Sequence, residues 1–158
     1  MQITNEAWMK AAIKLAVENV QSGRGGPFGA VIVKDGNLLS TAANSVTANN
    51  DPTAHAEVLA IRAACLALGD FQLEGCELYS SCEPCPMCLS AIYWARLKRF
   101  HYACTRENAA EAGFDDSFIY DQLHLRPDRR TIPGDCVQVE GPLAPFVAWA
   151  QSTQKLHY

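Results

Sequence analysis

The chain has no run of about eighteen consecutive apolar residues, the length a helix needs to cross a bilayer. Its first residues, Met1 to Lys10, lack a charged segment followed by an apolar one, so no targeting signal is read there. The expectation is a cytoplasmic protein with no membrane partner. An excess of basic residues is also missing: 13 Lys and Arg stand against 17 Asp and Glu, a formal charge of -4. A general electrostatic grip on phosphate backbones is therefore not provided, and a small substrate is favoured over nucleic acid. The basic pairs Lys98-Arg99 and Arg129-Arg130 read as solvated surface. No internal repeat or low-complexity tract is present.

What is present suits one domain. With 158 residues, 49% of them apolar, the chain can bury one substantial core but is short for two. Its seven cysteines are an odd number, which speaks against a disulfide framework. Cys82, Cys85 and Cys88 crowd together, as metal binding or redox chemistry requires. Cys65, Cys76, Cys104 and Cys136 are scattered and read as small buried hydrophobes.

Met9, Ile13, Ala16, Val17 and Val20 recur at helical spacing, so a first helix is expected over residues 5 to 22, stopped at Gly23. Extended runs at residues 30 to 33 and 38 to 43 flank Lys34-Asp35-Gly36-Asn37, and Asp-Gly marks a tight hairpin. The Ala- and Leu-rich stretch from Thr53 to Leu68 predicts a second helix opening on His55, its inner face Val58, Ile61, Ala64 and Leu68. A strand over 77 to 81 leads to Cys85-Pro86, where Pro86 suits the first position of a third helix carrying Leu89, Ile92 and Tyr93. Strands are expected over 100 to 103 and near Val137-Gln138-Val139, with a loop from Arg126 to Gly134 between them. The tail from Pro142 to Tyr158 carries Phe146, Val147, Trp149 and Ala150 and reads as an apolar-faced helix seeking a surface to cover. Alternating strands and helices indicate an α/β sandwich.

Two segments carry chemistry. Residues 51 to 57 read Asp-Pro-Thr-Ala-His-Ala-Glu and residues 83 to 88 read Glu-Pro-Cys-Pro-Met-Cys. Together they have the H-x-E and P-C-x-x-C pattern, which resembles the signature of zinc nucleobase deaminases; this is a recognised pattern, and spacing alone does not yield it. Its physical logic is clear. One imidazole (His55) and two thiolates (Cys85, Cys88) are three ligands, one fewer than tetrahedral Zn²⁺ takes, so a water completes the shell and ionises near neutral pH. Glu57, which does not ligate, is placed to move protons. On a regular helix His55 and Glu57 would diverge, so the pair is expected at the very start of the second helix. Cys85 falls at the N-cap of the third helix and Cys88 one turn on, where the helix dipole favours thiolates.

Bland readings stand beside these. Glu57 could be an ordinary first-turn carboxylate. Cys82 with Cys85, Cys88 and His55 could form a closed structural zinc site, which would make the chain a non-catalytic zinc-binding module. Against that, Cys82 precedes the Glu-Pro turn, and a core of this size needs no metal staple. Gly23 to Gly29 lacks the ending of a phosphate loop and precedes a strand, so it reads as a turn bringing backbone close to a ligand.

With these motifs placed, the chain resembles the cytidine-deaminase-like superfamily, and within it the bacterial guanine deaminases. The resemblance rests also on Gly25 to Val33, Asn44, Asn50 to Glu57, Cys88 to Arg96, Glu111 to Ile119 and the C-terminal tyrosine. It implies a three-layer α/β/α sandwich on a mixed five-stranded sheet, with one Zn²⁺ per subunit. It also implies hydrolysis of guanine to xanthine and ammonia, a step of purine salvage or catabolism, with Glu57 and Asp116 catalytic. Substrate contacts would come from Asn44, Phe28, Ala56, Trp94, Asp116 and Tyr158. A homodimer is implied in which residues 142 to 158 cross to the neighbour and Tyr158 closes its site. Guanosine, cytosine and transfer-RNA adenosine are the alternative substrates within the same chemistry.

Overall fold

The computed structural model describes residues 4–157. The chain divides after Asp116 into two compact units. The first opens with helix α1 (Asn5–Gln21), whose N-cap Thr4 accepts the Ala7 N–H, and which ends at Ser22 before Gly23 at φ +68°. Strands β1 (Gly29–Lys34) and β2 (Asn37–Ala43) form the expected hairpin, with Asp35 and Gly36 both at positive φ, as a type I′ turn demands. A short helix α2 (Val46–Asn49), absent from the sequence reading, leads to α3 (Ala56–Leu68), which Gly69 terminates in the left-handed conformation. Strand β3 (Cys76–Cys82), helix α4 (Pro86–Trp94), strand β4 (Arg99–Cys104) and helix α5 (Arg106–Glu111) complete the unit.

The sheet is mixed, in the order β2-β1-β3-β4, with β1 antiparallel to both neighbours and β3 parallel to β4. Side-chain alternation gives β1 two buried faces, which is why Ala30 to Val33 reads as a continuous apolar run. Val31 and Val33, with Tyr79 of β3, pack on Trp8 and Ala12 of α1. Ala30, Ile32 and Leu78 pack on the other side with Ala56, Ala60, Ile61 and Ala64 of α3 and Ile92 of α4. Helix, sheet and helix make the three layers expected. Ile32 and Leu78 have no exposed surface, and truncating either to alanine would cost about 2–5 kcal/mol.

Some expectations are corrected. Four strands, not five, form the sheet among the described residues, and residues 137–139 are irregular. Three residues at the end of a Pro- and Gly-rich loop cannot hold a strand without a ladder to join. The buried face of α1 is Trp8, Ala12, Ala16 and Asn19, whereas Ile13, Val17 and Val20 stay half-exposed in an apolar groove. Leu68 and Tyr93 are exposed as well. Of the four scattered cysteines only Cys76 is buried; Cys104 and Cys136 are exposed.

The second unit contains α6 (Ser117–His124), a 3-10 turn (Pro127–Arg129) and α7 (Ala144–Gln151). Neither helix has a buried residue. The unit is held by local bonds, including Thr131 N–H to Gln122 Oε1 at 2.7 Å and Gly134 N–H to the Pro127 carbonyl at 3.0 Å. No helix among the described residues is long and apolar enough to cross a membrane.

Candidate metal centre

Two helix N-termini converge to build the site. His55 is the N-cap of α3, with extended backbone at φ −71° and ψ 152°, so its side chain leaves the helical path. Glu57 then stands in the first turn, and the i, i+2 pair converges because only one of its members is helical. Cys85 is the N-cap of α4, Pro86 follows inside the helix, and Cys88 lies in the first turn. A proline there forfeits no hydrogen bond, since a first-turn N–H has no helical partner.

His55, Cys85 and Cys88 form the one group of three possible metal ligands among the described residues, their donor atoms all within 4.8 Å of one another. His55 Nδ1 lies 3.5 Å from Cys85 Sγ and 3.4 Å from Cys88 Sγ. The edge of a tetrahedron with ordinary Zn–N and Zn–S bonds is about 3.5 Å. The donors therefore already stand at zinc-ligand spacing, and imidazole with two thiols is a set that zinc favours.

The protonation pattern agrees. The Cys85 thiol is lowered to about 4, chiefly because Cys88 donates an S–H to it and then because His55 lies alongside. Cys88, as donor, is pushed up correspondingly. His55 is raised, first by its hydrogen bond with Cys85. A bound dication would displace the protons that these groups hold.

Cys82 does not join them. Its Sγ faces the Thr105 carbonyl at 3.5 Å, and burial pushes its thiol up to about 11. The closed Cys3His site is not assembled.

Glu57 is 5% exposed. Ser80 donates to its Oε1 at 3.1 Å, and Cys88 Sγ lies 3.5 Å from its Oε2. Burial is the main cause raising its carboxyl above the ordinary range. This is no solvated first-turn carboxylate. Ser80 reaches it because, two residues from Leu78, it faces the same side of β3.

A cavity of ≈ 550 Å³ opens onto the ligands, lined by Phe28, Asn44, His55, Glu57, Cys85 and Asp116 among others. That volume is in the range of small-molecule sites. Phe28 meets Phe114 edge to face at 5.0 Å between centroids. Asp116 is half-buried, and its carboxyl is raised, first by burial and then by Cys85. Ala56 is fully buried at the start of α3 and does not line the cavity. Trp94, 67% exposed, borders a separate depression with Tyr93 and Arg96. Tyr158 lies outside the described residues. The structure thus gathers Phe28, Asn44, Glu57, Asp116 and the three ligands, and leaves Trp94 apart.

Three contributors escaped the sequence reading: Ser80, Ser81, whose hydroxyl accepts the Gly29 N–H at 3.0 Å, and Asn19. Their signal was available as polar residues at positions where neighbours of the same period are apolar.

Residues 2–104 match the cytidine and deoxycytidylate deaminase zinc-binding region. Over 156 residues, 99% of this chain and 100% of the relative, the chain is 55% identical to guanine deaminase of Bacillus subtilis. The X-ray structure of guanine deaminase from that organism superimposes with a TM-score of 0.97, covering 99% of each chain. A tRNA-specific adenosine deaminase of Aquifex aeolicus is 47% identical over 94 residues, 60% of this chain and 62% of the relative.

Proposed function

Because this chain belongs to the cytidine and deoxycytidylate deaminase family of zinc-binding proteins, we propose that it hydrolyses guanine to xanthine and ammonia. The observation that carries the substrate is the extent of the likeness. Identity to a guanine deaminase runs through 99% of the chain, tail included, whereas the transfer-RNA deaminase match covers 60%.

Bound by His55, Cys85 and Cys88, zinc supplies the Lewis acidity that makes a water nucleophilic near neutral pH. Ser80 holds one oxygen of Glu57, so the other is kept on the side of the ligand thiols. From there the carboxylate takes a proton from the attacking water, gives it to the ring nitrogen and delivers one to the departing ammonia. The carbon exchanges its amino group for the water oxygen, and no net proton is gained or lost. Burial tunes Glu57 for this, because a carboxyl that ionises nearer neutrality both accepts and returns a proton readily.

Phe28 walls the flat ring, Asn44 hydrogen-bonds the purine, and Asp116 stands at the edge near the leaving amine. Ala56, its side chain buried, would contribute the backbone N–H of a helix first turn. Trp94 would serve only a site completed by another subunit, and Tyr158 has the same proposed place.

That second subunit is part of the reading: a homodimer of single-domain chains that exchange residues 142–158. Phe146, Val147 and Trp149 of α7 are exposed, an apolar face in need of cover. β4 ends the sheet with a free edge among the described residues, and an exchanged segment could supply the missing fifth strand. Action in the cytoplasm suits seven cysteines that are all free.

The test is ammonia release from guanine, guanosine, adenine, cytosine and cytidine, with Glu57→Gln as control. Guanine turnover that falls by about 10²–10⁴ in the control supports the proposal. Turnover of cytosine but not guanine would sink it.

A further inference from the structure

Asn19 sits on α1 in line with Trp8, Ala12 and Ala16, all buried, and is itself only 3% exposed. An amide on an apolar helix face is costly unless its hydrogen bonds are made. They are: Nδ2 donates to the Gly26 carbonyl at 2.9 Å and to the Asn44 carbonyl at 2.8 Å. The same two residues are joined a second time. Asn44 Oδ1 accepts the N–H of Gly26 at 3.3 Å and the N–H of Val46 at 3.3 Å.

The orientation of the Asn44 amide follows from chemistry. Two backbone N–H groups can only donate, so the end facing them must be the oxygen. The NH2 end is left for the cavity that Asn44 lines. Rotating the amide would set donors against donors. Gly25 shows how tight the arrangement is, for a Cβ there would lie 2.3 Å from the Asn44 carbonyl oxygen.

We infer that Asn19 is a positioning residue for substrate choice: by tying the Gly25-Gly26 turn to Asn44 it locks the Asn44 amide as a pure donor. The cavity then selects a base that presents a ring-nitrogen or carbonyl acceptor at that point. The inference rests on the proposed guanine substrate. It assigns Asn19 no part in the proton transfers, since its two bonds go to the Gly26 and Asn44 carbonyls and not to Glu57 or the ligands.

The experiment compares the zinc-loaded parent enzyme with Asn19→Asp, which keeps the shape but sets an oxygen against two carbonyls. KM for guanine should rise about three- to tenfold, as loss of one well-aimed hydrogen bond implies, with kcat and zinc content unchanged. Three analogues, 3-deazaguanine, 7-deazaguanine and 2-aminopurine, each delete one acceptor of guanine. One of them should carry a KM penalty with the parent enzyme that largely disappears with the variant. Gly25→Ala strains the same clamp from the turn side and should give the same split, which keeps the test decisive if Asn19→Asp does not fold.

Variants that lower kcat and leave KM alone, or a parent enzyme indifferent to all three analogues, would overturn the inference. A parent enzyme inactive on guanine would instead overturn the substrate reading, and the same KM split on whichever base is turned over would decide the role of Asn19.

Discussion

The two units of this chain carry apolar residues in opposite ways. Up to Asp116 they are sorted by the period of the element that holds them, and β1, β3 and α3 bury whole faces. Beyond it, Leu123, Phe146 and Val147 lie exposed on helices with no buried residue. The zinc ligands, Glu57 and Asn44 all lie in the first unit, which holds the part matched across the family. The second unit extends beyond that match. The contrast teaches that the chemistry needs a rigid, self-sufficient scaffold, while a segment that leaves its apolar face open is suited to completing something outside itself.

The largest test of that division lies within the first unit. Cys88→Ala removes a ligand whose sulfur has no exposed surface around it, and should abolish zinc binding and lower turnover on the order of 10³-fold or more. Cys82→Ala should keep the metal and most activity, because its sulfur faces a carbonyl and not the ligand group. Zinc analysis of the two purified variants decides the matter; equal loss from both would restore the closed structural site.

Next in size is removal of residues 142–158. If the second unit completes a neighbour, the shortened protein should be monomeric or only weakly active, with kcat/KM lower on the order of ten- to a hundredfold, while zinc content stays whole. Size-exclusion chromatography with light scattering, alongside the guanine assay, reads both properties. A shortened protein that remains dimeric with full turnover would erase the proposed difference between the units.

What could be read in advance follows the same boundary. The hairpin at Asp35-Gly36, the helix stops at Gly23 and Gly69 and the N-caps at His55 and Cys85 were legible because each depends on a few neighbouring residues. The inner face of α1 was not. Ala12 and Asn19 look less apolar than Ile13, Val17 and Val20, yet the small residues are buried, because Gly29 approaches α1 so closely that a Cβ there would lie 2.3 Å from the Ala12 carbonyl oxygen. Close backbone packing selects small residues over greasy ones, and hydrophobicity alone misses it. The fifth strand was misread for another reason: Val137 and Val139 alternate correctly, but a strand exists only where an edge meets it. The site was legible in its ligands and less so in its supports, since Ser80 and Asn19 act across the fold on Glu57 and Asn44.

The smallest expected effect belongs to partly exposed charges. Glu77 accepts from His101 Nε2 at 3.0 Å and lies 3.5 Å from Lys98, and its carboxyl is held below the ordinary range, first by the His101 hydrogen bond. A carboxyl lowered on folding adds stability above its unfolded value, and that addition is lost as the pH falls through the folded value. Glu77→Gln should therefore cost up to about 1 kcal/mol at pH 7, and the gap from the parent protein should close under acid. In the second unit Asp128 pairs with Arg126 and Arg129, residues beside it in sequence and mostly exposed. Asp128→Asn should change stability by under about 0.5 kcal/mol at pH 7, since such a pair forms about as well in the unfolded chain. Urea unfolding of both variants at pH 7 and near pH 3 separates the two. Were Asp128 the costlier loss, the second unit would be bound by its own charges and its independence from a partner would have to be conceded.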